Sequence, residues 1–173
     1  MPRTRFTLIV ACASLLVPLC ALPLLAQAAT LTGRVAYVAD GDTITVLDST
    51  NEQHKVRLAG IDAPEKAQRF GGGARDNLSA MIAGKIVTVE FVKFDRHQWM
   101  VGKVIANGRD ICLEQVKAGM AWHYKKYERE QTRADRSAYA QAEEQARLAR
   151  KGLWQDPSPV PPWQWRRAKE ASN

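Results

Sequence analysis

Three β-branched segments, GRVAYVA, TITVLD and QHKVRLAGI, follow one another between residues 31 and 61, parted only by the turn sequences DGD and DSTNEQ. Their partial alternation of apolar and polar residues is the period of a half-buried strand. A chain that opens this way is committed to a sheet. The period changes at 72–83, where Ala74, Leu78, Met81 and Ile82 share one helical face and Gly84 stops the run. KIVTVEFVKF (85–94) returns to strand, with Val87, Val89 and Phe91 on one side, and MVGKVIA is another strand closed by the turn pair NG at 107–108. Asp110 caps a short helix, ICLEQVKA, which Gly119 ends. Thr132 and Asp135 open the longest helix with a capping-box pattern. Along it Ala134, Ala138, Ala142 and Ala146 repeat every four residues, small side chains that suggest close packing onto another element, Glu143 can pair with Arg147, and Gly152 is expected to end it. Five short strands with an inserted helix predict an α+β, mainly β chain: a five-stranded OB-type Greek-key barrel with about three helices.

That domain is expected over residues 29–156. The prolines of DPSPVPPWQWRRAKEASN predict an extended tail over 157–173. Its Trp163, Trp165, Arg166 and Arg167 form an aromatic-basic cluster that can stack on bases, lie on a membrane or, as we read it, dock on its own domain. At the other end, MPRTR, a long apolar run and the Ala26-Gln27-Ala28 ending have the parts of a secretory signal peptide. Cleavage is expected after Ala28. The alternative is an uncleaved anchor, because the run is long enough to span a bilayer. Export to the periplasm or the exterior follows from the signal reading. Cys12 and Cys20 fall in that segment, so Cys112 is the one cysteine of the mature chain and no internal disulfide is expected. Cys112 sits in an apolar-periodic run and reads as a small buried hydrophobe. Losing Arg3 and Arg5 lowers the net charge from +7 to +5, which still favours polyanions. No dimer signature is present, and a monomer without a protein partner is the expectation.

Two motifs carry chemistry. Asp40 and Asp42 flank a single glycine, with Thr43 next, and VRLAGIDAPE adds Arg57, Asp62 and Glu65. Alone, the first is an ordinary turn. Together they place four carboxylates and a guanidinium at neighbouring strand ends, which suits a phosphodiester. A hard divalent cation takes oxygen ligands, here Asp42, Asp62 and the Ala63 carbonyl. The fork of Arg57 matches two phosphate oxygens, and Glu65 can orient or deprotonate an attacking water. His54, His97 and His123 show no metal spacing and read as structural or surface residues.

DGDT followed by RLAGIDAPE resembles the thermonuclease family, the staphylococcal-nuclease-like Ca²⁺-dependent nucleases. The similarity covers about residues 31–156 and includes LEQVKAGMAWHYKKY and AEEQARLARKGLW. The resemblance implies an OB barrel, Ca²⁺ as cofactor, and DNA or RNA as substrate. It implies metal ligation by Asp42, Asp62 and the Ala63 carbonyl, with Glu65 acting on water and Arg57 on phosphate. Asp40 would be a supporting carboxylate and Thr43 a supporting hydroxyl. Tyr127, with Tyr124 beside it, would line the nucleotide pocket. One feature departs from the family. Its second phosphate-binding arginine falls in a turn that here reads DRHQWM, and Trp99 takes the place. Arg96, Lys93 and Lys103 are the candidates to reach in instead. An OB-type nucleic-acid-binding module with weakened or lost catalysis is therefore the alternative reading; a passive envelope protein is a third, resting only on the signal and the tail.

Overall fold

The computed structural model describes residues 29–172, so the expected signal segment with Cys12 and Cys20 lies outside the described residues. Strands β1 (Ala29–Val38), β2 (Thr43–Leu47) and β3 (Gln53–Leu58) pair antiparallel in chain order. A two-residue strand, β4 (Ile61–Asp62), and helix α1 (Gly71–Ile82) lead to β5 (Ile86–Phe94) and β6 (Met100–Ala106). β5 lies antiparallel between β1 and β6. β6 then meets β3 in parallel, with Arg57 opposite Val101, and closes a ring of five strands in the order β3-β2-β1-β5-β6. Closure removes the free edges that an open sheet of this composition would present. Irregularities between Val35 and Tyr37 in β1 and between Phe91 and Lys93 in β5 give the long strands their bend. The five-stranded OB-type barrel is the one expected.

Alternation works as the sequence predicts. Val35, Ile44, Val46, Val56, Leu58, Val87, Val89 and Val104 point inward and are buried. Ala74, Leu78 and Ile82 of α1 join them, and each fully buried Val, Leu or Ile side chain contributes about 1.5–3 kcal/mol. Short strand β7 (Arg109–Asp110) precedes α2 (Ile111–Lys117), and the Leu113 amide donates to the Asp110 carboxylate at 3.1 Å, the cap foreseen. Strand β8 (Trp122–His123) pairs with β4. Helix α3 (Arg133–Leu148) starts at Thr132, whose hydroxyl accepts from the Asp135 amide at 3.0 Å. Buried Tyr139 of α3 donates its hydroxyl to Asp110 at 2.8 Å, so one aspartate caps α2 and ties it to α3. Burial pushes the Cys112 thiol far above its ordinary range, in keeping with a hydrophobe rather than a nucleophile.

Three expectations need correction. α3 ends at Leu148, not at Gly152, which opens a short 3-10 turn over Gly152–Gln155. Gly152 packs against the backbone of Gly119, where a Cβ would meet the Gly119 carbonyl oxygen at 2.2 Å. The alanine stripe is buried at Ala142 and Ala146 but leaves Ala134 in solvent, because α3 seats through its C-terminal part. The tail is not extended beyond residue 161. It forms a helix, α4 (Pro162–Ala171), which raises the count among the described residues to four α-helices. Proline stops an element from within, but at the first helical position its missing N–H costs nothing, and Pro162 occupies that position.

Candidate active site

The carboxylates converge where β2, β3 and β4 meet. Gly41 makes this possible by its smallness: a Cβ there would lie 2.6 Å from that of Ala74 and 2.7 Å from that of Ala63. The turn between β1 and β2 is thereby pressed onto α1 and the Asp62–Glu65 segment. Gln115, fully buried, holds it there by donating to the carbonyls of Gly41 at 2.7 Å and Ala74 at 3.0 Å. Asp42 is 4 % exposed. One of its oxygens accepts from the Thr43 hydroxyl and the other from the Ala63 amide, both at 2.9 Å. Thr43 and Ala63 therefore orient Asp42, and the hydrogen bond to Ala63 N–H ties the two motifs together. Asp62 is 0 % exposed and lies on the same floor. Asp40 accepts from the Asp42 amide at 3.1 Å.

Arg57 stands on the outer face of β3 between inward-facing Val56 and Leu58, and its Nη2 lies 3.4 Å from Asp62 and 3.7 Å from Asp42. Those carboxylates, Asp42 first, raise its pKa further. Glu65 follows the floor at the rim, half exposed, its amide donating to Gln68 at 3.2 Å. A second guanidinium, which reading of the sequence did not place here, completes the cluster. Arg166 of α4 grips Asp62 with both terminal nitrogens, at 3.1 and 2.7 Å, and donates to Glu65 at 2.7 Å. Burial pushes the Asp62 carboxyl up, and the grip of Arg166 is the main force against that.

The donor set suits a hard cation. All its side-chain ligands are oxygen, and four carboxylates against two guanidiniums leave two negative charges unmatched. The strain of that excess shows on Asp40, whose pKa is pushed up to about 6 by burial and then by the charge of Asp42. A group raised this way favours folding fully below its unfolded value near 3.8, and that stability is lost as pH rises through about 6. Asp40→Asn, which keeps the acceptor for Asp42 N–H, should match wild type at about pH 3, below the unfolded value, and be more stable by about 2–3 kcal/mol at pH 8 in chelator. Denaturant titrations at the two pH values check this, and a gap that stays constant with pH would sink the assignment. Asp48, Glu52 and His54 also bring three ligand atoms together at the β2–β3 turn, but there Asp48 already caps the turn amides and hydroxyl of Thr50.

Beside the two guanidiniums that hold the carboxylates lies a groove of about 450 Å³, lined by Arg57, Lys93, Phe94, Arg96, Tyr124, Lys126, Tyr127 and Arg166. Tyr127 is 40 % exposed with the Lys93 ammonium 4.7 Å above its ring, and Phe94 is 50 % exposed. Of the sequence candidates, Tyr124, Tyr127, Lys93 and Arg96 thus border the groove. Lys103 does not: it lies farther along β6 and pairs with Asp135 at 2.7 Å and Asp110 at 3.9 Å, correcting its reading as a groove residue. Trp99 also stays outside the groove lining, its ring under the Lys55 ammonium at 5.0 Å. His123 is structural, its Nε2 2.8 Å from Gln131 Oε1.

A small closed barrel with buried carboxylates under paired guanidiniums, opening on a basic aromatic groove, is built to meet a polyanion through a cation. Residues 55–156 match the family described as staphylococcal nuclease homologue. An uncharacterized endonuclease of Escherichia coli O157:H7 is 41 % identical over 138 residues, 79 % of this chain and 86 % of that protein. An uncharacterized endonuclease of Haemophilus influenzae is 42 % identical over 139 residues (80 % and 75 %), and a micrococcal nuclease of Shigella flexneri 41 % over 152 (82 % and 84 %). The chain belongs to the staphylococcal nuclease homologue family.

Proposed function

We propose that this protein is an exported, Ca²⁺-dependent endonuclease that hydrolyses phosphodiester bonds in DNA and RNA. As a member of its family it is a hydrolase of the endonuclease class, with nucleic acid as substrate. The observation that carries the finer reading is the floor of the site: Asp42 and Asp62, both buried and both facing Arg57, with Glu65 at the rim. When bound by Asp42, Asp62 and the Ala63 carbonyl, a divalent cation supplies positive charge against the phosphate as negative charge grows on it. The chain's own residues do the rest. Arg57, held by contacts of 3.4 and 3.7 Å that are looser than a good charge-assisted bond, can turn its fork to two phosphate oxygens. Glu65 takes a proton from water as the water oxygen bonds to phosphorus. The opposite ester bond breaks, and the departing oxygen gains a proton from solvent. Exposed Phe94 and Tyr127 offer faces to bases while the groove cations meet the backbone. The signal-like segment supports export to the periplasm or the exterior, and no described helix is long and apolar enough to cross a membrane.

The second reading, an OB-type module that binds without cutting, is favoured by Trp99, which stands where the family carries a cation. A digestion assay separates them. Residues 29–173 are offered single- and double-stranded DNA and RNA with Ca²⁺, with Mg²⁺ and with chelator. Cleavage with Ca²⁺ that chelator abolishes is the expected result. Ca²⁺-dependent binding of intact strands would instead establish the module.

A further inference from the structure

α4 is seated with more care than a loose tail needs. The Trp163 ring stacks on Tyr124 at 5.3 Å between centroids and 17° between planes, and meets Trp122 edge-on at 5.6 Å. Pro162 is buried, and Gln68 donates to the Val160 carbonyl at 2.5 Å. These contacts fix the helix one turn before Arg166. The chain thus carries a guanidinium back across about a hundred residues of sequence to the floor of its own site.

We propose that Arg166 is a second substrate-phosphate ligand, set beside Arg57 on the Asp62 carboxylate and delivered by α4. This rests on the endonuclease reading above. Among the described residues, Arg57 and Arg166 are the two cations in contact with the carboxylates of the floor, and both line the groove. The other groove cations are engaged elsewhere or exposed: Lys93 is paired with Glu130 at 2.6 Å, the Lys126 ammonium lies 5.5 Å from the Tyr127 ring centroid, and Arg96 is exposed beside His97. Arg166 spends Nη1 on Asp62 and Glu65 and one bond of Nη2 on Asp62. A guanidinium has five N–H groups, so its Nε and the second Nη2 hydrogen remain to bind an anion. Its side chain is 34 % exposed, open to the groove on one side while tied to the floor on the other. A phosphate entering the groove beside the shared Asp62 oxygen would meet two guanidiniums, where Arg57 alone offers one fork.

The test uses the full chain with Arg166→Ala, Arg166→Lys and, as a control on the exposed face of α4, Lys169→Ala. Three readouts are taken: cleavage kinetics, calorimetric titration with Ca²⁺, and binding of a fluorescent single-stranded oligonucleotide in the Glu65→Gln background with Ca²⁺. Arg166→Ala should lower kcat by about 10²–10³ and weaken the oligonucleotide at least tenfold, with Ca²⁺ affinity kept or tightened. Arg166→Lys should recover only part, since an ammonium lacks the fork. Faster cleavage with tighter Ca²⁺ would overturn the proposal and make α4 a plug on the cation site. Unchanged kinetics and binding with a lowered Tm would reduce Arg166 to a structural ion pair. If wild type cuts nothing, the endonuclease reading fails, and the oligonucleotide titration still decides whether Arg166 holds phosphate. If Arg166→Ala does not fold, the lysine variant carries the same comparison.

Discussion

Glu65→Gln should lose cleavage and keep its substrate. General-base work contributes about 10²–10⁴ in rate, so kcat is expected to fall by that factor. The amide is nearly the same shape and still offers Oε1 to Arg166, which holds Glu65 now at 2.7 Å. The side chain is 38 % exposed, so its exchange unburies nothing and strands no donor. Tm should therefore stay within a degree or two, and the affinity for an oligonucleotide in Ca²⁺ within about threefold. A variant that cuts at the wild-type rate would remove Glu65 from the chemistry. One that loses binding and cleavage together would make it a binding residue instead.

Asp42→Asn should abolish the response to Ca²⁺ without harming the fold. Asp42 now accepts from Thr43 and from Ala63. An amide cannot accept at nitrogen, but the Thr43 hydroxyl can reverse its role and accept, while the Ala63 amide keeps the oxygen. The hydrogen-bond pattern survives and the charge is lost. Wild type at a hundred times its Ca²⁺ dissociation constant gains about 2.7 kcal/mol, which moves Tm by roughly 5–10 °C in a domain of this size. That shift should vanish in Asp42→Asn, and cleavage with it. In chelator at pH 8 the variant should be as stable as wild type or more so, because Asp40 is relieved of its neighbour. A Ca²⁺ shift of wild-type size in the variant would exclude Asp42 as a ligand.

The barrel and most of the floor were legible in the sequence because both are encoded in short stretches. Alternation along 31–61 and 85–106 sets which residues face the core, and the five strands pair as that alternation requires. DGDT and VRLAGIDAPE each lie within one turn and one strand end, so their carboxylates needed only the hairpin between β2 and β3 to come together. The caps at Asp110 and Thr132 are local by nature, and both were read correctly. Lys103 was misread because its partners come from elements distant in sequence that pack beside β6: Asp110, which caps α2, and Asp135 of α3. The tail was misread for a related reason. Four prolines over 157–162 argue against a core element, yet the last of them is a sound first residue for the helix that follows. Its value to the site was invisible from composition.

By itself, then, the sequence determined the strands, their inward faces, the caps and the four acids with Arg57. These follow from periods and contacts that span a few residues. Only the tertiary structure decided that β6 closes on β3, that Gly41 lets Asp42 sit against Ala63, and that Arg166 reaches Asp62 from the far end of the chain. Such contacts join positions tens to a hundred residues apart. What selects them is close packing and charge balance in the folded state, where a buried excess of carboxylates must find cations from wherever the chain can bring them.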